Sequence, residues 1–200
     1  MKRYDRAYFD RWYRGSRRIH SSADVERKVR MVVGIAEQVL ERPIRTVLDV
    51  GCGEGAWLPA LRRLRPGVRY SGVDSSEYVV RRFGARRNIR LGSVDRLDEL
   101  EWPGRFDVVV CCDVLNYLPA RVLARGLAQM RALLGGVAYL ELFTDRDEMA
   151  GDLRGWHFRP AAYYRRLLRR LGYTPCGCHC YVGPQHASDV AMLERGFADR

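Results

Sequence analysis

Apolar and polar positions along this 200-residue chain fall into two rhythms that take turns. Short, mostly apolar runs at 47–50, 69–74, 88–94, 106–112 and 136–144 read as strands, and the most continuous suit burial on both faces. Between them, apolar residues recur every three or four positions, as on the buried face of a helix. Val25, Val29, Val32, Val33, Ala36, Val39 and Leu40 line a helix predicted over 24–41, with Ser21 or Ser22 as its cap and Pro43 past its end. Further helices are predicted through Leu64 and over 77–85, 118–134 and 159–172, the third stopped by Gly135-Gly136. Pro59 lacks an N–H, which predicts a late start or a kink in the helix that ends at Leu64. The tail reads as a strand over 173–182, a loop over 183–188 and a last strand over 190–194.

Strand and helix alternating over the first 144 residues predict an α/β fold with a doubly wound, mostly parallel sheet. The two closing strands predict an antiparallel hairpin at one edge. The length fits one domain over 1–200, with a core over 43–195 and a helical arm over 1–42. In that arm Tyr4, Tyr8 and Trp12 share one helical stripe, and Phe9 and Tyr13 lie on its neighbour. Such a stripe is either packed on the body or serves as a lid, and a closed lid also buries something.

The stretch VLDVGCGEGAW (47–57) turns that outline into a binding site. A strand leads into Gly51, Gly53 and Gly55, which allow positive φ and close approach of backbone to a ligand. The helix that follows brings free N–H groups to the same spot. The result is a nucleotide-type pocket at the carboxyl edge of a sheet. The glycine spacing, with Ala56 in third place, also satisfies a dinucleotide fingerprint, so the acids must decide the ligand. Glu54 inside the loop opposes a pyrophosphate, while Asp49 attracts a cation. S-adenosylmethionine (SAM), with an ammonium, a sulfonium and no phosphate, fits better than NAD. Asp74 ends the second strand 19 residues past Gly55, where a ribose-binding carboxylate is expected, or else it caps the next helix.

Composition changes the picture little. The net charge is +11, and only Lys2 and Lys28 are lysines among 35 basic residues. The arginines are spread through every predicted helix, which favours a solvated basic surface over a nucleic-acid track. No run approaches the roughly 20 apolar residues of a membrane span, and the first residues lack a signal-peptide core, so a cytoplasmic location is expected. Cys176, Cys178 and Cys180 alternate in a predicted strand, roughly 6.5–7 Å apart. Three thiolates so spaced cannot all reach zinc at about 2.3 Å, and no metal is expected. Cys111 and Cys112 at a strand end also read as structural.

On these motifs the chain resembles the class I SAM-dependent methyltransferases. VLDVGCGEG is similar to their first motif, YSGVDSS to the second and FDVVVCCDVLNYL to the fourth, with GGVAYLELF and the hairpin completing the order. The resemblance implies a seven-stranded sheet in the order 3-2-1-4-5-7-6, with strand 7 antiparallel. It implies SAM as cofactor and S-adenosylhomocysteine as product. Gly51, Cys52 and Gly53 would line the methionine part, Asp49 would orient the ammonium, and Asp74 with Ser75 would bind the ribose. Ser93 stands where an acid commonly meets the adenine, with Val94 beside it at the cofactor and Asp95 two residues on; Cys112 and Asp113 would close the pocket. The resemblance stops short of the acceptor. A nucleobase-methylase motif is missing after the fourth strand, so a small molecule is expected ahead of nucleic acid or protein. A non-enzymatic SAM- or NAD-binding protein is the further alternative. Loops beyond strands four and five carry Asn116, Tyr117, Trp156, His157 and Arg159, and the arm offers Tyr8 and Trp12 to the same acceptor. Histidine is the residue type whose unperturbed pKa lies near neutrality, which makes His157 the first candidate for general base, with Tyr117 second. Trp156 and His157 can equally pack the start of the next helix.

Overall fold

The computed structural model describes residues 4–14, 21–149 and 151–196. Seven strands form one sheet in the order β3-β2-β1-β4-β5-β7-β6. The first five are β1 (Thr46–Val50), β2 (Arg69–Asp74), β3 (Ile89–Leu91), β4 (Phe106–Cys111) and β5 (Leu134–Leu140), all parallel. β7 (Cys180–Val182) runs antiparallel to β5, and β6 (Thr174–Pro175) pairs antiparallel with β7. The fold class and strand order expected from the sequence are the ones observed.

Alternate residues of each strand serve opposite faces. Val47, Val108, Val110 and Val137 join the core under α2 (Ser22–Leu40), α3 (Trp57–Leu64) and α4 (Glu77–Arg87). Leu48, Val109, Ala138 and Leu140 join the core under α5 (Ala120–Leu133) and α6 (Ala161–Arg170). Burying each of these valines and leucines contributes about 1.5–3 kcal/mol, which is why both faces are covered. Helix α2 starts at Ser22 because Ser21 and Asp24 close a capping box: each side chain accepts the other's backbone N–H, at 3.1 and 2.8 Å. Its residues Val29, Val32, Val33 and Ala36 are buried, so this part of the expected arm is a layer of the core. Helix α3 begins at Trp57, which puts Pro59 in the first turn, where a missing N–H breaks no bond.

Several expectations are corrected. β3 is three residues long, and Gly92 to Val94 lie beyond its end, with Val94 opening a turn. Gly135-Gly136 does not stop α5; the helix runs directly into β5 and both glycines lie in the strand. Phe106 pairs with Leu134 and Val108 with Val137, so two glycines face Asp107 alone. A Cβ on Gly135 would lie 3.0 Å from the Phe106 carbonyl oxygen, and one on Gly136 2.5 Å from that of Asp107. Only glycine fits this bulge. The closing hairpin lies earlier than predicted. The stretch read as a single strand is the hairpin itself, turning at residues 176–179, where Cys178 and His179 adopt positive φ. Cys176, Cys178 and Cys180 therefore straddle a turn, and Cys178 is exposed. Residues 184–189 form a 3-10 helix, and α7 (Met192–Gly196) stands where the last strand was expected.

Candidate active site

The carboxyl ends of β1 and β2 carry the glycine loop. Gly51, Gly53 and Gly55 all have positive φ, at 71°, 52° and 76°. The Gly51 and Cys52 N–H groups both donate to the Val73 carbonyl, at 2.8 and 3.1 Å, which ties the loop to β2. A Cβ on Gly51 would overlap Val114, and one on Gly53 would sit 3.3 Å from the Phe9 ring. At these two positions the loop is a backbone surface with little or no room for a side chain.

Two acids lie beneath it. Asp49 is 2% exposed and accepts the Tyr70 hydroxyl at 2.8 Å. Burial lifts its pKa to about 7, against the opposing pull of that hydrogen bond. Asp74 is also buried and its pKa raised by desolvation, although its two oxygens accept the Gly53 and Ser76 N–H groups, each at 2.8 Å. The cap of α4 is Ser76, which accepts from the Val79 N–H, so Asp74 is not spent on that task. Ser75 beside it is exposed. Beyond β3, Ser93 donates to the Asp95 carboxylate at 2.6 Å and Val94 is buried against Gly126. After β4, burial pushes the Cys112 thiol up, as it does Cys52 in the loop, and Asp113 adopts a φ of 55°.

The first element, α1 (Arg6–Phe9), is continued by a π-helical turn over Asp10–Arg14. The wider turn brings Tyr13, not Trp12, onto the Tyr8 stripe, with ring centroids 6.5 Å apart. Phe9 packs against Tyr13 and Tyr78 as well as Gly53. Arg14 pairs with Glu54, and Ser76 donates to the Tyr4 carbonyl at 2.5 Å. The arm is seated on the glycine loop. Its pairing with Arg14 also offsets the charge of Glu54, which weakens the sequence argument from that residue. Residues 15–20, part of the expected arm, lie outside the described residues.

The loops after β4 and β5 meet through Asn116. Its amide donates to the Phe143 carbonyl at 2.7 Å and to Tyr164 at 3.0 Å, and accepts the Phe143 N–H at 3.1 Å. Both its amide protons and its oxygen are engaged in holding these loops and Tyr164 together. Tyr117 donates to the Asp152 carbonyl at 2.5 Å and stands edge-on to Trp156 at 4.9 Å. Burial raises its pKa well above that of a free tyrosine, with Asp152 adding to the rise, so it keeps its proton. Burial raises the Tyr8 pKa, and Tyr117 and Asp113 lie close enough to add to the rise, which brings the arm to this mouth. His157 is exposed, and its backbone N–H donates to the Asn116 carbonyl at 2.8 Å. Arg159 is 8% exposed, donates to the Leu118 carbonyl and lies over Tyr163.

Sequence reasoning missed Glu141 and Lys28. Glu141 follows β5, is 4% exposed, and pairs with Lys28 of α2 at 2.6 Å while accepting the Tyr139 hydroxyl at 3.0 Å. A signal was available: Glu141 is the single charge in the apolar run 137–143, and Lys28 is one of two lysines in an arginine-rich chain. Among the described residues no group of three or more His, Cys, Asp or Glu is placed to hold a metal ion. None of the described helices is long and apolar enough to cross a membrane.

Comparison with known proteins accords with this geometry. The chain is 32% identical over 117 residues to a trans-aconitate 2-methyltransferase from Deinococcus radiodurans, a match covering 56% of this chain and 43% of that one. It is 35% identical over 82 residues to a ubiquinone biosynthesis O-methyltransferase from Pseudomonas paraeruginosa, covering 38% and 34%. Each match spans less than half the length of the curated relative. Among solved structures, the SAM-bound amino pentose methyltransferase CalS10 from Micromonospora echinaspora superposes with a TM-score of 0.62 at 18% identity, covering 90% of this chain and 97% of that one. The magnesium protoporphyrin IX methyltransferase from Synechocystis PCC 6803 gives 0.61 at 19%, covering 84% and 85%. The family model described as "Methyltransferase domain" matches residues 21–200. With nine-tenths of its length under that match, the chain belongs to the methyltransferase-domain family, within the class I SAM-dependent methyltransferases.

Proposed function

We propose that this chain transfers a methyl group from SAM to an O, N or S nucleophile of a small-molecule acceptor. The observation that carries the reading is the backbone cradle of three left-handed glycines, closed from β2 by Asp74 and floored by the buried Asp49. It fits a ligand that needs close backbone approach and carries positive charge. Gly51, Cys52 and Gly53 are proposed to line the amino-acid part, with Asp49 beneath the ammonium. Asp74 and Ser75 are assigned to the ribose, Ser93 and Val94 to the adenine end, and Cys112 and Asp113 to the closing wall. SAM supplies a methyl group already activated by its sulfonium; the protein's work is alignment and exclusion of water.

Tyr8, Trp156 and Arg159 are proposed to face the acceptor; Asn116, buried and bonded to Phe143 and Tyr164, instead positions their loops, and Trp12 lies off the Tyr8 stripe. The relatives' names, which include a carboxylic acid, a quinone precursor pathway and an amino sugar, support a small molecule. Tyr117 keeps its proton, which it gives to the Asp152 carbonyl, and is proposed to serve as a wall, which leaves His157 as the candidate base. Of the expected arm over 1–42, only residues 4–14 are proposed to move, since α2 is packed into the core that runs on over 43–195.

Calorimetric titration with SAM, S-adenosylhomocysteine and NAD tests the reading; the first two should bind and NAD should not. Asp74→Ala should weaken SAM by roughly ten- to 150-fold, the worth of a charge-assisted hydrogen bond. Because Asp74 also holds two loop N–H groups, its melting temperature should fall as well. Asp74→Asn, which keeps one acceptor oxygen but turns its NH2 toward the other backbone N–H, should recover part of the stability at most and little of the affinity. A folded Asp74→Ala chain with unchanged SAM affinity would remove Asp74 from the site.

A further inference from the structure

A groove of about 710 Å³ opens between α6 and the β6–β7 hairpin, away from the glycine loop. Its origin lies in strand length: β7 has three residues and β6 two, too few to cover the inner face of the ten-residue α6. The walls are mostly apolar, formed by Leu142, Tyr164, Leu168, Tyr173 and Tyr181. The rim is basic. Arg165, Arg169 and Arg195 line it against a single carboxylate, Glu194. Arg165 is exposed and makes no hydrogen bond or ion pair among the described residues, and its charge pulls the Tyr181 hydroxyl's pKa down against the rise from burial.

The groove also reaches the sheet edge where the acceptor is expected. Leu142 and Thr144, which follow Glu141, form one end of it. His179 lines it too, and its ring meets Phe143 at 5.6 Å, while Phe143 meets Trp156 at 6.2 Å. Aromatic surface therefore runs from Tyr117 and Trp156 into the groove.

We propose that this groove binds an apolar organic anion, its hydrocarbon or aromatic body against the tyrosines and its acid group at Arg165 and Arg169. The chemistry follows from the lining: tyrosine and leucine offer area to an apolar body, and arginine forks match a carboxylate or sulfonate. On the methyl-transfer reading, on which this role rests, the anion is the non-reacting part of the acceptor.

The test uses 8-anilinonaphthalene-1-sulfonate as the probe and follows its fluorescence on titration. Wild type should show one saturable site. Arg165→Gln/Arg169→Gln should weaken binding about tenfold or more, as expected for loss of charged partners. Ala161→Trp, which fills the groove from the start of α6, should remove it, and N-phenyl-1-naphthylamine, the same rings without the acid, should not respond to the arginine changes. Unchanged probe affinity in folded double-glutamine chains, or no saturable site in wild type, overturns the proposal. SAM titration of the same proteins reports separately: wild type that binds the probe but not SAM sinks the methyl-transfer reading and leaves the groove.

Discussion

At the ends of β1 and β2 each buried acid has its donors: Tyr70 for Asp49, and the Gly53 and Ser76 backbone for Asp74. At the ends of β4 and β5, and in the loop beyond, three buried polar atoms have no protein partner among the described residues. They are Glu141 Oε2, Trp156 Nε1 and Arg159 Nη1. Each such atom costs about 1–3 kcal/mol when nothing supplies its hydrogen bond. The difference is one of material. The first half is built largely of backbone, whose geometry the glycines set and whose N–H groups Asp74 meets. The second half is built of side chains on loops, and the fold leaves part of their bonding capacity unused. A constant ligand suits the first kind of surface and a family-variable one the second.

Three changes probe this contrast, in order of expected effect. Gly53→Val attacks the backbone half directly, placing a β-branched residue at a φ of 52° against Phe9. SAM affinity should fall at least a hundredfold, and strain of about 1–3 kcal/mol should lower the melting temperature. Calorimetry beside thermal melts separates the two: lost stability with intact affinity would reduce the glycine to a turn former.

Asp49→Asn comes next and should act with opposite signs on stability and binding. The carboxyl titrates near 7 when folded and near 3.8 otherwise. A raised folded pKa means that the stabilising contribution of the protonated form is complete below about 4 and lost as pH rises through 7. Asparagine should therefore stabilise the chain at pH 8, by up to about 4 kcal/mol for a three-unit shift, and leave it unchanged near pH 4. SAM affinity of wild type should rise with pH through 7 as the carboxylate forms, and the variant should lose that slope. Stability profiles that superimpose for the two proteins from pH 4 to 8 would break the argument.

The smallest effect is expected on the other side. Trp156→Phe removes a buried N–H that has no partner, so lost packing and relieved desolvation should nearly cancel, within about 1 kcal/mol. Denaturant melts give the answer. A larger loss would mean that the indole N–H is satisfied, and the two halves would then be alike.

The same contrast explains what could be read from the chain alone. The glycine loop and Asp74 are legible because few residue types allow positive φ, and an acid at a second strand's end has few uses. β2 is observed over the residues expected, since its flanks carry Pro66-Gly67 and Ser75-Ser76. The hairpin was placed wrongly because small alternating residues look like a strand whether or not the chain reverses among them, and the reversal rests on positive φ at Cys178 and His179, not on glycine alone. Trp12 left the expected stripe because a π turn changes the helical period without a local sequence mark. Glu141 escaped notice because its partner is a lysine 113 residues away, and such a pairing exists only once the sheet has formed.

The glycine pair at the start of β5 sets the phase of the sheet above it. With an unbroken ladder from Phe106 and Leu134, Tyr139 instead of Leu140 would stand opposite Cys111. Every side chain from there upward would change faces, and Glu141 would point away from Lys28. One extra residue, held where no Cβ fits, lets α5 feed straight into the strand and still delivers the acid to the right side. The polarity of the candidate site is thus written at the opposite end of the sheet, in two residues that never come near it.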